Sequence, residues 1–379
     1  MLDLSVIIVN YNASYFLQLC LDALAPALKG FDAETFVVDN QSDDDSCRVI
    51  REKYPWVRLI ENESNEGFGK ANNRAIAMAK GKHILLLNPD TIVQRATLQQ
   101  SISILQRDVK IGAVGVKMLD GSGVFLPESK RGLPTPEVAF YKAFGLASLF
   151  PHSKRFARYY LGHLSSDVEQ EVEVLAGAYM MCDADLLKAC GGFDEDFFMY
   201  GEDIDLSYRM TQRGYHIYYS PEYPIIHFKG ESAGRDAAWA KRFYDAMHLF
   251  SEKHFAQQGW LWSQVLNLGI RLRKLISIRP KELVEHSDFA SMRLMVLGHA
   301  EDLQPWAKLT MQFKSVIQQG LVNYNMASCD AVLFLPDVDA QVQINFMQEY
   351  AGKKQFFFAS DDFILTSPSS VSQGEIYPL

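Results

Sequence analysis

Between Asp194 and Asp205, six carboxylates share twelve positions with Phe197, Phe198 and Tyr200, directly after Phe193. A solvated acidic face would not carry so many large apolar side chains. A core segment would not carry so many acids, because a carboxylate removed from water must be paired or bound to a metal ion. Acids among aromatics fit the edge of a pocket. Apolar Leu206, Met210 and Tyr215 follow Asp203, and their spacing predicts a helix that begins near Glu202. Glu202 and Asp203 equally suit a first helical turn, where acids complement the positive end of the helix dipole. The stretch alone leaves both readings open.

The elements that would position such a pocket lie upstream. Leu4 to Val9 is a continuous, largely β-branched run, as in a buried parallel strand, and it ends at Asn10-Tyr11-Asn12. Helical spacing follows over Tyr15–Leu28. Thr35–Val38 is a second strand, followed by Asp39-Asn40 and an acidic turn that could cap the helix Ser46–Lys53. Val57–Ile60 is a third strand, and a helix spans Ala71–Ala79 before Gly81. His83–Leu87 is a fourth strand, ending at Asn88-Pro89-Asp90. Four alternations of strand and helix predict an α/β fold with a mostly parallel sheet. Ligands bind beyond the C-terminal ends of such strands. Asn10, Asp39, Asn88 and Asp90 all fall there. Gly67-Phe68-Gly69 precedes a helix, where glycine permits a tight turn or a close approach to a ligand. It matches neither a P-loop nor the Rossmann dinucleotide fingerprint.

Composition narrows the classes. A chain of 379 residues holds two or three domains. Its charge of −9 argues against a binder of nucleic-acid phosphates. Five cysteines without a Cys-x-x-Cys pair point to reduced thiols and a cytoplasmic location. No apolar run reaches the length of a membrane span, and Asp3 with a short apolar run is unlike a signal peptide.

Taken together, the motifs Val6–Asn12, Val37–Asp44, Asn65–Asn73, Leu87–Asp90, Gly177-Ala178, Gly191–Glu195, Gly201–Leu206 and His227 resemble glycosyltransferase family 2. The likeness is to its rhamnosyltransferase-like branch and covers roughly residues 1–255. It implies a GT-A fold, with a Rossmann-like nucleotide-binding half and an acceptor half around one mostly parallel sheet. It also implies an inverting, metal-dependent enzyme of cell-surface polysaccharide synthesis. A nucleotide-sugar, dTDP-rhamnose or a UDP-sugar, is then held by Asn10, Tyr11, Asn12, Asp39, Asn40, Gly67, Phe68, Asn73 and Asn88. Asp90 and His227 bind Mg2+ or Mn2+, with Asn88 where many relatives carry an acid. Asp203, beside Glu202, is the base that deprotonates a hydroxyl of a glycan or polyprenyl-linked acceptor. Transfer to an alcohol needs such a base, and the leaving diphosphate needs a countercharge. One departure stands out. Relatives often carry basic residues soon after Gly177-Ala178, whereas this chain reads Met180 to Asp185, which leaves Lys70, Lys117 or Arg209 to meet the donor phosphates.

Leu126–Leu164 reads as an insertion rich in proline, aromatics and basic residues, including Lys130, Arg131, Lys142, Lys154, Arg155 and Arg158. It is either a lid over the acceptor side or a solvated basic loop. A helix over Asp236–Phe255 should pack on the catalytic domain of residues 1–255. Residues 256–290 form an amphipathic connection. Within it, 260–279 reads as a basic amphipathic helix that could lie on an anionic membrane as a peripheral contact, dock on the protein, or join two copies. Residues 291–379 form a small C-terminal α/β unit, with strands near 293–297, 331–335 and 355–358 and helices near 304–319 and 340–350. A nucleotidyltransferase is disfavoured, because no glycine-rich loop with basic residues follows the first strand. From another class, a non-catalytic nucleotide-sugar sensor or scaffold is conceivable, though a base beside a metal site would serve it no purpose.

Overall fold

The structure, a computed structural model, describes residues 2–229, 237–255, 289–298, 304–319, 329–367, 369 and 374–378. Strands β1 (Leu2–Asn10), β2 (Ala33–Asp39), β3 (Val57–Glu61) and β4 (Gly81–Leu87) alternate with helices α1 (Ser14–Ala27), α2 (Ser46–Lys53) and α3 (Phe68–Met78). They form a parallel half-sheet in the order β3-β2-β1-β4. The unbroken apolar run of β1 is explained by burial on both faces. Leu4, Val6 and Ile8 pack with Leu17, Leu21 and Leu24 of α1, whereas Ile7 and Val9 pack with Ala71, Ala75 and Ile76 of α3.

The chain continues through β5 (Thr91–Ile92), α4 (Arg95–Leu105), β6 (Ile111–Leu119), α5 (Pro136–Ala143), α6 (Leu146–Leu149), β7 (Gln170–Glu171), β8 (Tyr179–Asp183), α7 (Ala184–Ala189), α8 (Glu202–Gln212), β9 (His216–His227) and α9 (Ala237–Phe255). β8 runs antiparallel between β4 and β6, and β9 lies parallel to β6. Two consequences matter for the site. Leu87 of β4 is opposite Tyr179 of β8, which sets Asn88 beside Ala178. Short β5 pairs with the end of β9, Thr91 opposite His227, which sets Asp90 beside that histidine. α9 packs Ala246 and Phe250 onto Val174, Phe197 and Ile204, as its apolar face requires. All five cysteines are free thiols.

The C-terminal residues build a second sheet of six strands, ordered β11-β10-β12-β13-β14-β15. These are β10 (Arg293–Leu297), β11 (Ser315–Gln319), β12 (Ala331–Phe334), β13 (Gln355–Ala359), β14 (Phe363–Thr366) and β15 (Glu375–Pro378). The helix Ala340–Glu349 lies where expected, but Ser315–Gln319 is a strand and not the end of a helix. β-branched Val316 and Ile317 pair there with Leu294 and Met295 of β10. This sheet shares its core with the first. One apolar cluster joins Phe16, Leu19, Ile92, Leu119, Ile226 and Phe228 to the strands β10, β12, β13 and β14. The Phe228 ring lies 5.0 Å from Phe358 and 5.3 Å from Phe16. The backbones meet as well: Gly352 N–H donates to Ser122 O at 3.0 Å.

The expected helix over 260–279 lies outside the described residues. Among the described residues no helix is long and apolar enough to cross a membrane.

Candidate active site

The first part of the site is the seam between the loops after β1 and β2. Asn10 and Asp39 are register partners. Asp39 accepts from the Asn10 side-chain amide at 2.8 Å and from the Ser42 hydroxyl at 2.7 Å and amide at 2.8 Å. Asn12 N–H donates to the Ser42 hydroxyl, and Asp43 N–H to the Asn12 side chain. The two loops are therefore zipped together, and Tyr11, between Asn10 and Asn12 in sequence, is half-buried. Asn10 Oδ1 is buried without a partner, an acceptor waiting for a donor group. Asn40 holds the glycine loop, donating to Gly67 O at 3.1 Å and accepting from Asn62 at 2.7 Å.

Gly67 has φ +83°, and a Cβ there would come within 2.4 Å of Phe198 O. Only glycine lets this loop close onto the Phe198 turn, where Phe68 N–H donates to the same carbonyl at 2.9 Å. Asn73, expected among the nucleotide-sugar ligands, turns its amide to the protein instead. It accepts from Phe193 N–H and donates to Phe193 O, each at 2.9 Å, and so clamps the Gly191–Glu195 turn onto α3.

The second part lies at Asn88-Pro89-Asp90. Asp90 Oδ1 is 3.3 Å from His227 Nε2, and Oδ2 accepts from Lys229 N–H at 3.2 Å. Asn88 Nδ2 is 3.5 Å from the same His227 nitrogen. Burial resists ionisation of Asp90, but His227 and the backbone amides outweigh it and hold the carboxyl below its ordinary range. His227 Nδ1 is buried without a partner. Among the described residues no three His, Cys, Asp or Glu side chains converge as a metal cage. Two are enough for magnesium, which is commonly held by one or two protein ligands plus phosphate oxygens and water. Ligands in adjacent octahedral positions at about 2.1 Å lie about 3 Å apart, and the Asp90–His227 spacing fits this.

The third part is the start of α8. Of the six clustered acids, four serve structure. Asp194 and Asp196 each accept from Lys253 of α9 at 2.6 Å. Asp205 accepts from Arg209 at 2.6 Å and pairs with His254 at 2.7 Å, and Glu195 accepts from Asn73. Glu202 and Asp203 remain. Asp203 accepts from the Arg131 guanidinium at 2.5 Å, from Gly177 N–H at 3.1 Å and from Ile204 N–H at 2.8 Å. Burial works against the Arg131 charge, yet Asp203 and the Tyr159 hydroxyl more than offset it and raise its pKa. Glu202 Oε2 is buried and unpartnered, and burial followed by the Asp203 charge pushes its pKa up to about 8. At neutral pH Glu202 is thus mostly protonated.

A carboxyl whose pKa is raised on folding stabilises the fold below its ordinary pKa, and that contribution is lost as pH rises through about 8. Glu202→Gln is therefore expected to flatten the fall in Tm between about pH 5 and about pH 8. Parallel curves for the variant and the parent would show that Glu202 is not held neutral.

Consecutive residues join these parts. Asn88 N–H donates to Ala178 O at 3.0 Å, and Gly177 N–H donates to Asp203. The root of the insertion ties the same two ends. Glu128 pairs with Lys229, whose amide is on Asp90, and Arg131 pairs with Asp203. Lys130 is buried as well, donating to Leu161 O at 2.9 Å and Leu164 O at 3.1 Å. The start of the insertion is therefore not a solvated basic loop. Lys70 lies 3.2 Å from Glu66, Lys117 2.6 Å from Asp167, and Arg209 is on Asp205, so each already has an acid partner. Sequence reasoning missed Arg131 as a site residue. The signal available was a basic residue in the insertion, with an unmatched acid at Asp203.

Backbone strain marks the same edge. Asn12, Gln41, Tyr200 and Lys229 all have positive φ, and they flank β1, β2, α8 and β9. Such conformations persist where surrounding contacts over-determine them, and they cluster at functional sites.

Residues 3–243 match the family model "Glycosyltransferase like family 2". The N-acetylglucosaminyl-diphospho-decaprenol L-rhamnosyltransferase of Mycobacterium tuberculosis (strain ATCC 25618 / H37Rv) is 27% identical over 281 residues, covering 71% of this chain and 89% of that protein. Rhamnosyltransferase WbbL of Escherichia coli (strain K12) is 30% identical over 235 residues, 59% of this chain and 82% of its own length. Among solved structures, S. aureus TarS 1–349 is 17% identical, with a TM-score of 0.44 over 82% of this chain and 80% of that one.

Proposed function

The chain belongs to glycosyltransferase family 2, in its rhamnosyltransferase-like branch with the GT-A fold, and we propose that it moves a sugar with inversion from a nucleotide-sugar to an acceptor hydroxyl. The observation that supports this reading is the linkage of Asn88 and Asp203 through Ala178 and Gly177, which keeps the Asp90–His227 pair and the Asp203 carboxyl group in fixed relation.

The acceptor oxygen attacks the anomeric carbon as the bond to the diphosphate oxygen breaks, and Asp203 takes the hydroxyl proton. Arg131 and the Gly177 amide hold that carboxylate in place, and protonated Glu202 adds no competing charge. The Asn10–Asp39–Ser42 seam, where the side-chain Oδ1 of Asn10 is buried without a partner, receives the nucleobase. Asp90 and His227 would hold Mg2+ or Mn2+, which supplies positive charge to the leaving diphosphate. dTDP-rhamnose is the first donor, with UDP-sugars as alternatives. The Mycobacterium tuberculosis relative is named for a decaprenyl-linked N-acetylglucosamine acceptor, which favours a polyprenyl-linked acceptor in surface polysaccharide synthesis here.

A donor screen tests this. The protein is incubated with dTDP-, UDP- and GDP-sugars and manganese or magnesium, with EDTA as control. Cleavage of one donor, abolished by EDTA and reduced about 100-fold or more in Asp90→Ala, is expected. Cleavage that survives EDTA would remove the metal from the scheme. Donor binding without turnover, even with acceptor supplied, would favour a sensor.

A further inference from the structure

We propose that the insertion between β6 and β8 carries a docking surface for an anionic lipid bilayer, made of an aromatic array around Phe144 and Phe150 with a cationic edge at Lys154 and Arg155. The array is continuous. Phe144 lies 4.4 Å from Phe140, Phe140 5.9 Å from Tyr141, Tyr141 4.9 Å from Phe156, and Phe156 5.3 Å from Phe150. Its outer members face water: Phe144 is 47% exposed, Phe150 46%, and neighbouring Leu149 69%. Among the described residues no other stretch of similar length exposes three large apolar side chains. A contiguous apolar patch of this kind is costly on a soluble surface and marks a contact site.

Charge selects the occupant. Residues 136–163 hold four basic residues, Lys142, Lys154, Arg155 and Arg158, and one acid, Glu137, a local excess of +3 on a chain of −9. Glu137 is already taken by Arg155 and Tyr141. Arg155 stands 5.6 Å over the Tyr141 ring and 5.9 Å over Phe156, so a cation borders the aromatic array, and Lys154 beside it is exposed. Rings that enter the headgroup boundary beside cations that meet lipid phosphates are the pattern of an interfacial contact. The remaining acidic surface would be repelled by the same bilayer, which orients the molecule.

The surface is joined to the site by backbone. Gly132 N–H donates to Tyr159 O at 2.9 Å, Arg158 pairs with Glu173, and Arg131, one residue before Gly132, holds Asp203. A bilayer under the array would therefore lie on the acceptor side of the protein. This contact is distinct from the basic stretch 260–279, and it does not depend on which donor the enzyme uses.

Vesicle flotation of the full chain tests it, with phosphatidylcholine alone and with about 30% phosphatidylglycerol. The protein is expected to float only with anionic vesicles. Phe144→Ser/Leu149→Ser/Phe150→Ser should reduce the bound fraction about tenfold, and Lys154→Glu several-fold, with Tm and donor hydrolysis unchanged. Undiminished flotation of the triple variant, or no flotation of the parent, overturns the assignment. A parent dimer that the triple variant converts to monomer, without vesicle binding, would give the surface to a second copy instead.

Discussion

Asp203→Asn is expected to lower transfer by about 10³-fold while donor binding is retained. The amide keeps the shape of the carboxylate, and its single oxygen can still accept from Gly177 or from Ile204, which use different carboxylate oxygens, but it cannot take a proton from the acceptor. The substitution has a second effect. Arg131 would remain charged and buried with its partner gone, and removing one member of a buried pair costs about 3–5 kcal/mol. Stability and turnover therefore have to be read separately. Arg131→Gln should destabilise comparably and reduce kcat less, since the base survives but is no longer held. The double variant Arg131→Gln/Asp203→Asn should recover much of the lost stability and none of the lost turnover. Thermal unfolding with single-turnover kinetics on the three variants decides the matter. Turnover that survives in Asp203→Asn would move the base elsewhere, and additive losses of stability would show that the two groups do not interact.

Removal of everything after residue 255 is expected to leave a chain that does not fold to a soluble enzyme. The cut exposes Phe16, Leu19, Ile92, Leu119, Ile226 and Phe228, all buried in the cluster shared with the C-terminal sheet. Burial of each large apolar side chain contributes about 1.5–3 kcal/mol. Six such losses rival the about 5–15 kcal/mol by which whole domains are stable. The damage would reach the site, because Phe228 follows His227 and its amide donates to Asp90 O at 3.0 Å. Phe228→Ala in the full chain is a milder version, with a cost of about 3–5 kcal/mol and weakened metal-dependent donor binding. Solubility, circular dichroism and donor hydrolysis of residues 1–255 check the larger claim. A soluble and active fragment would show that the C-terminal sheet rests on the catalytic domain without supporting it.

Local patterns in the sequence were enough for the first half-sheet. β1 reads as buried on both faces because Val6 to Val9 are apolar at consecutive positions, and apolar runs that end before Asn or Asp place Asn10, Asp39, Asn88 and Asp90 on one edge. The start of α8 at Glu202 was legible for the same reason, from apolar spacing after an acidic turn. The family followed from motifs whose order holds over the matched residues 3–243. Other features were set only when distant segments met. Arg131 stands 72 residues before Asp203 and reads like any other basic residue of the insertion, because a sequence does not distinguish a buried cation from a solvated one. The partners of Asp194, Asp196 and Asp205 lie on Arg209, Lys253 and His254, so the acid cluster divides into tethers and site only once α9 is in place. Ser315–Gln319 follows its neighbour β10 into a sheet, and Phe228 finds Phe358 from another sheet. Periodicity is local and survives in the sequence. Which charges share a low-dielectric interior, and which apolar faces cover each other, depends on contacts that only the folded chain brings within reach.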